Sequence, residues 1–294
     1  MKKNPHNNKN GTNRISFVKA YRKSSFLLSK EARIIRIVSE YLEPVYRFRK
    51  YKVRNTIVFF GSARAVDEKT AKFDKKKINE KIKKSSKVDS FLLGELKQAE
   101  NLEKMSCYFS AAEELAFRLT QWSNKIKDES NRFIVTSGGG SGIMTAANKG
   151  ALNAKGLSIG LNISLPFEQT PNPFISSELG FEFHYFFMRK FWFLYLAKAL
   201  VFFPGGFGTF DELMETLTLL QTKKINRPLP VILFGKKYWK EIIRFEKMVE
   251  WGVISPEDLD LFKFTESVEE AYHIITKELS THYLSGNVIK PSIE

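Results

Sequence analysis

A chain of 294 residues, 43% apolar and 27% charged, is long enough to bury the core of one α/β domain with extensions. Its single cysteine, Cys107, excludes an internal disulfide and any cysteine-built zinc site, and the spacing of its four histidines suggests no metal site. The net charge of +15 is concentrated: residues 1–54 carry +12, residues 55–104 carry +4 and residues 105–294 carry −1, which argues against a nucleic-acid groove through the body of the chain.

Residues 1–25 are Asn- and Lys-rich with little to bury, and are expected to form a disordered basic tail. The opening MKKNPHNNKN has no apolar stretch behind its basic residues, so it does not read as a secretory signal. The most apolar window, Phe191 to Phe203, is too short for a membrane span and contains Lys198. A cytoplasmic protein without a membrane partner is therefore expected. Residues 26–54 form the next unit. Ile35, Val38, Leu42 and Val45 recur at helical spacing behind Ser29 as cap, which predicts an amphipathic helix running toward Tyr46 and packed on the main domain.

The main domain spans residues 55–294. NTIVFF predicts a buried strand entering the turn Gly61 to Arg64, and residues 69–103 form a Lys/Glu-rich insertion, read as a loop or solvated helix. SAAEELAFRLTQWS predicts a helix, RFIVTS a strand, and GGGSGIMTAANKGALNA a glycine turn opening a helix. LSIGLNISL is the next strand, followed by the loop FEQTPNPF and the aromatic segment FEFHYFFMRKFWFLYLAKA. LVFF then feeds PGGFGTFDELMETLTLLQ, LPVILFG is a further strand, and SVEEAYHIITKEL a closing helix. Strands alternating with helices at this spacing imply an α/β fold, a parallel sheet covered by helices on both faces. Ligands of such sheets sit at the carboxyl ends of the strands, where the glycine turns fall.

Two of these turns are candidate phosphate cradles. In TSGGGSGIM, Gly138, Gly139, Gly140 and Gly142 permit positive φ and close backbone approach; in PGGFGT, Gly205, Gly206, Gly208 and Thr209 open a helix whose N-terminal N–H groups favour an anion. Either turn alone has a plainer alternative reading, a tight strand-to-helix connection that holds no ligand. Two of them, with Arg189 and Lys190 nearby in sequence, favour a phosphorylated ligand. Neither is followed by the Lys-Ser/Thr of a triphosphate-binding loop.

VFFGSAR, TSGGGSGIMTAANKGA, SIGLNISLPFEQ, YFFMRK and PGGFGTFDELMETLTLLQ, in this order, resemble the Lonely Guy family, often labelled "possible lysine decarboxylase", in its longer bacterial branch. The resemblance covers about Arg33 to Leu279, interrupted by the insertion. It implies a Rossmann-like, doubly wound fold and a nucleoside 5′-monophosphate phosphoribohydrolase, which cleaves AMP or N6-modified AMP, the cytokinin precursors, into free base and ribose 5-phosphate. It further implies Arg189 and Glu212 as catalytic residues, the glycines and Thr209 of PGGFGT as the phosphate site, Ser62 and Arg64 as neighbours of the nucleotide, and a homo-oligomer. Phe186 stands where the shorter members carry methionine, so base preference stays open.

The chemistry fits these residue types. Cleaving an N-glycosidic bond generates an oxocarbenium-like ribose, which a carboxylate such as Glu212 stabilises while orienting water. Arg189, charged at every relevant pH, grips phosphate or assists the departing base. As plain structure, Glu212 would be an acid in a first helical turn, where Asp211 would do as well, and Arg189 a surface charge among aromatics. No lysine stands in a context that marks a Schiff base, and no cofactor is expected. Two other readings remain: a carrier of a phosphorylated nucleotide or molybdenum cofactor that leaves its ligand intact, and weak salt-sensitive contact of the basic tail with nucleic acid, without specific recognition.

Overall fold

The computed structural model describes residues 17–85, 89–166 and 170–285. Its centre is a seven-stranded sheet of β1 (Asn55–Phe60), β2 (Phe133–Ser137), β3 (Ser158–Ile163), β4 (Gly180–Phe183), β5 (Ala197–Phe202), β6 (Val231–Phe234) and β7 (Lys263–Thr265). Every pairing is parallel and the order is β4-β3-β2-β1-β5-β6-β7. This is the parallel sheet with helices on both faces that the alternation of elements predicts, in the Rossmann-like, doubly wound arrangement that the resemblance implies. The chain winds outward from β1 to β4, then returns beside β1 as β5 and winds the other way. That reversal opens a crevice between the carboxyl ends of β1 and β5.

Alternation along the central strands divides the core. Ile57 and Phe59 of β1 and Ala199 and Val201 of β5 face one layer, built by α4 (Ser90–Asn124), α5 (Ile143–Asn153) and α10 (Val268–Leu279). Val58, Phe60, Leu200 and Phe202 face the other layer, to which α2 (Arg33–Lys50), α6 (Phe186–Tyr195), α7 (Phe207–Gln221), α8 (Lys236–Ile242) and α9 (Phe245–Glu250) contribute. Strands buried on both faces read as the continuous apolar runs seen in the sequence.

The N-terminal region departs from expectation in two places. Residues 1–16 of the expected tail lie outside the described residues; its remainder holds a 3-10 turn, Ala20–Arg22, and the start of the short α1 (Ser24–Leu27). Ser29 is not the cap of the next helix. Helix α2 starts four residues later at Arg33, and the Ser29 carbonyl, with that of Leu27, instead accepts from the Arg36 guanidinium, which turns the chain into the helix.

The Lys-rich stretch is helical on both sides. Asp67 caps α3 (Glu68–Lys84) by accepting from the Thr70 N–H, and Asp89 caps α4 by accepting from that of Leu92. Ala71 and Ala99 are buried, and Lys75–Glu103 (2.7 Å) and Lys81–Glu95 (3.6 Å) bridge the two helices. The predicted helix at residues 110–123 is thus the second half of one 35-residue helix. Alanines and ion pairs hold the extension, which is why few large apolar anchors mark it in the sequence.

Candidate active site

A cavity of about 630 Å³ occupies the crevice at the switch point. The loop after β1 supplies Gly61 to Arg64, the end of β2 supplies Gly138, α6 supplies Phe186 and Arg189, and the first turns of α7 supply Gly206 to Thr209, Asp211 and Glu212. Ser62, Arg64, Gly138, Arg189, Gly206, Gly208, Thr209 and Glu212 are therefore brought together, whereas Gly139, Gly140, Gly142, Lys190 and Gly205 do not line the cavity.

The two glycine turns do different work. Gly142 has φ +68°, and a Cβ there would stand 2.1 Å from the Ser62 carbonyl oxygen. The Ile143 N–H donates to that carbonyl (3.0 Å) and the Ser141 hydroxyl to the Ala63 carbonyl (2.8 Å). This turn locks the first loop in place. Asn172 of the Pro/Asn-rich loop closes it from the other side: its side-chain amide donates to the Gly140 carbonyl and to Asn148, and its N–H to the Gly139 carbonyl. Of this turn only Gly138 meets the cavity.

The PGGFGT turn is open instead. The N-cap of α7, Gly206, makes no side-chain capping bond. Gly206 and Gly208 have nothing within 4 Å of the place a Cβ would take, so packing does not demand glycine there; glycine leaves the helix N-terminus accessible from the cavity. The Tyr238 hydroxyl, donating to the Gly205 carbonyl at 2.5 Å, fixes the turn from behind.

Arg189 is aimed by backbone acceptors. Its Nε donates to the Leu161 carbonyl (2.7 Å) and one terminal nitrogen to that of Gly138 (3.4 Å), while the guanidinium lies 5.0 Å from the centre of the Phe193 ring. A Cβ on Gly138 would come within 2.5 Å of the guanidinium, so glycine at the end of β2 is what lets Arg189 reach the pocket.

Glu212 is 6% exposed, and its Oε2 has no hydrogen-bond partner among the described residues. Burial pushes its pKa up to about 7, against the pull of Lys190 and Arg189. Its neighbour is differently placed: the Asp211 carboxylate is half-exposed and holds Lys190 at 2.8 Å, as Glu215 does at 2.7 Å. One helical step thus separates a buried, unpaired carboxyl from an exposed, ion-paired one. Lys190 stands behind the acids of α7 and not in the cavity wall.

The far wall is apolar, from Phe60, Met144, Ile163, Leu165, Phe186 and Phe193. These residues sit on β1, α5, β3, the loop after β3 and α6, and carry no local signal as a set. The aromatic run around Arg189 hinted at Phe186 and Phe193 alone, and there it read as core packing. His184 is exposed; its backbone N–H donates to the Glu40 carboxylate and its ring meets Tyr185 edge-on. Among the described residues no cluster of His, Cys, Asp and Glu could hold a metal ion, and no helix is long and apolar enough to cross a membrane.

No curated protein sequence matches the chain. Among solved structures, that of TM1055 is 20% identical, covers 76% of this chain and 99% of its own, and gives a TM-score of 0.44. Two structures of a molybdenum cofactor carrier protein from Chlamydomonas reinhardtii are 17% and 19% identical, cover 77% and 78% of this chain and 99% of their own, and give TM-scores of 0.40 and 0.42. The family model described as "Possible lysine decarboxylase" matches residues 144–275, from the start of α5 into α10, and so takes in Arg189, the PGGFGT turn and Glu212. Over that segment the chain is similar to this "Possible lysine decarboxylase" family.

Proposed function

We propose that the chain is a nucleoside 5′-monophosphate phosphoribohydrolase that hydrolyses the N-glycosidic bond of AMP or an N6-modified AMP. The observation that carries this reading is Glu212, a buried carboxyl with an unpartnered oxygen, pushed to a pKa of about 7, in the wall of a cavity that also holds a backbone-aimed arginine. Burying such a group without a partner costs stability, and a site that bound its ligand only through the phosphate would gain nothing from it.

In this reading the nucleotide phosphate sits over the α7 N-terminus, against the N–H groups beyond Gly206 and the Thr209 hydroxyl. The ribose faces Glu212, whose carboxylate form stabilises positive charge at C1′ and accepts a proton from the attacking water. Arg189 lies across the pocket from α7, where it can hydrogen-bond the departing base, and the apolar wall receives the base and any N6 substituent. An amino-acid decarboxylase using pyridoxal phosphate fits these residues poorly: no lysine is among the residues lining the cavity, and Lys190 is held by Asp211 and Glu215.

The test is a panel of nucleoside monophosphates assayed for free base and ribose 5-phosphate. AMP should be cleaved at least a hundredfold faster than adenosine in kcat/KM, because the nucleoside lacks the charge-assisted bonds that position its ribose. Binding of AMP without release of base would support the carrier reading instead.

A further inference from the structure

Helices α6 and α7 pack on the same face of the sheet, and each puts one charged group of the candidate site into the cavity wall, Arg189 from α6 and Glu212 from α7. Neighbouring helical residues point about 100° apart, so the residue after Arg189 looks elsewhere. The Lys190 ammonium reaches α7, where it lies 2.8 Å from the Asp211 carboxylate and 2.7 Å from that of Glu215. These acids stand one residue before Glu212 and three after it, at i and i+4, so they share one side of the helix. Without a cation between them they would repel; Lys190 draws both into one tie. Its side chain is only 19% exposed, so solvent and salt screen the tie less than an open surface pair.

The two ends of the tie meet different needs. Arg189 is held to β3 and the end of β2 through the Leu161 and Gly138 carbonyls, so the sheet fixes it. Glu212 Oε2 makes no hydrogen bond among the described residues, so the placement of α7 decides where that oxygen stands. We infer that Lys190 is a positioning residue of the candidate site: it ties α7 to α6, which sets Glu212 against Arg189, and it stands behind the Glu212 carboxylate as a fixed positive charge. In the phosphoribohydrolase reading, on which this role rests, the tie holds the carboxylate at the ribose while the charge keeps it ionised.

The charged groups around Glu212 have both signs. Lys190 and then Arg189, from α6, favour its carboxylate, Glu215 and Asp211 of its own helix oppose it, and the exposed Arg64 lines the same cavity from the loop after β1. Burial outweighs the two cations and leaves the group at about 7. Removing the ammonium therefore moves the titration of Glu212 up, whereas removing Asp211 and Glu215 moves it down. Both changes break the tie, so charge and tie separate by sign.

Two measurements on the full chain test this. The first is the titration of Glu212 itself, by NMR on protein labelled at the glutamate carboxyl carbons and assigned by the signal lost in Glu212→Gln; it needs no turnover. Lys190→Met should raise the midpoint by about one unit or more, Lys190→Arg should leave it near that of the wild type, and Asp211→Asn with Glu215→Gln should lower it. The second is the pH-rate profile with AMP. Lys190→Met should lower kcat on the high-pH plateau about tenfold and move the acid limb up, with KM changed less than about twofold because the phosphate turn is untouched, and Lys190→Arg should recover most of that rate. Asp211→Asn with Glu215→Gln should lose a similar share of plateau kcat although its acid limb moves down; this variant decides the matter should Lys190→Met fail to fold. A Glu212 midpoint that stays at about 7 without the ammonium would overturn the charge role, and an undiminished plateau kcat once the tie is broken would overturn the positioning role, leaving an ordinary staple between two helices. A wild type that releases no base would sink the hydrolase reading instead, and the titration would still decide whether Lys190 governs Glu212.

Discussion

At the scale of single residues the sharpest contrast is between two adjacent acids. A helix-end account treats Asp211 and Glu212 alike, since both stand in the early turns of α7 near its positive end. Their surroundings differ: Asp211 meets solvent and Lys190, and Glu212 is buried with Oε2 unpartnered. Glu212→Gln should keep the fold and much of the AMP binding while lowering kcat by a factor on the order of 100 or more, the loss expected when an electrostatic partner of the transition state is removed. Asp211→Asn should cost only a few-fold, because Glu215 still holds Lys190. The carboxylate is the working form, so kcat/KM of the wild type should fall as pH drops through about 7, and the residual rate of Glu212→Gln should lack that limb. A pH-rate profile of both proteins, with stability measured alongside, checks the set. Equal activity in the two variants would leave Glu212 as an ordinary buried acid.

At the scale of elements, two glycine turns of similar sequence have opposite sensitivities. Gly142→Ala should destabilise the fold by about 3 kcal/mol or more, since φ +68° strains an L-residue and the new methyl would meet the Ser62 carbonyl. Gly208→Ala, with nothing within 4 Å, should melt at nearly the wild-type temperature yet raise the KM for AMP about tenfold by placing a methyl over the α7 turn. Thermal melts and steady-state kinetics separate the two effects, and an unchanged KM would move the phosphate elsewhere. The sequence announces both turns, because glycine runs between an apolar strand and a helix are local signals, but it does not say which one is open. That depends on Ser62, Ala63 and Asn172, which reach the first turn from distant parts of the chain. The same limit governs the elements. The long apolar runs of β1, β2, β3, β5 and β6 are legible, while β4 and β7 are four and three residues long and are fixed by their neighbours in the sheet. Helix α2 starts at Arg33 and not behind a Ser29 cap, because the Ser29 and Leu27 carbonyls accept from the Arg36 guanidinium, a contact that local spacing does not reveal.

At the scale of the whole molecule, two buried ionisable groups make stability vary with pH between about 4.5 and 10.5. Lys198, near the amino end of β5, is 2% exposed, with its ammonium 5.2 Å from the centre of the Tyr283 ring; burial, and secondarily the charge of Arg227, lower its pKa to about 8. The unfolded chain holds that proton up to its ordinary 10.5, so between about pH 8 and 10.5 the unfolded state binds more protons, and stability from this group rises with pH. Glu212, in the cavity wall, acts with the other sign. Its folded pKa of about 7 stands above its ordinary 4.5, so its contribution is full below about pH 4.5 and is lost as pH rises to about 7. Each displacement is worth ~3 kcal/mol, so both penalties coincide between about pH 7 and 8. Glu212→Gln and Lys198→Met should each raise the melting temperature most in that window, by several degrees. The gain from Glu212→Gln should shrink toward pH 4.5 and that from Lys198→Met toward pH 10.5. The groups share no partner, so the double variant should show nearly additive gains at pH 7.5. Melting curves of the three variants across that range test the account; a Lys198→Met gain that did not decline above pH 8 would mean that lost strain, not a buried charge, had been relieved.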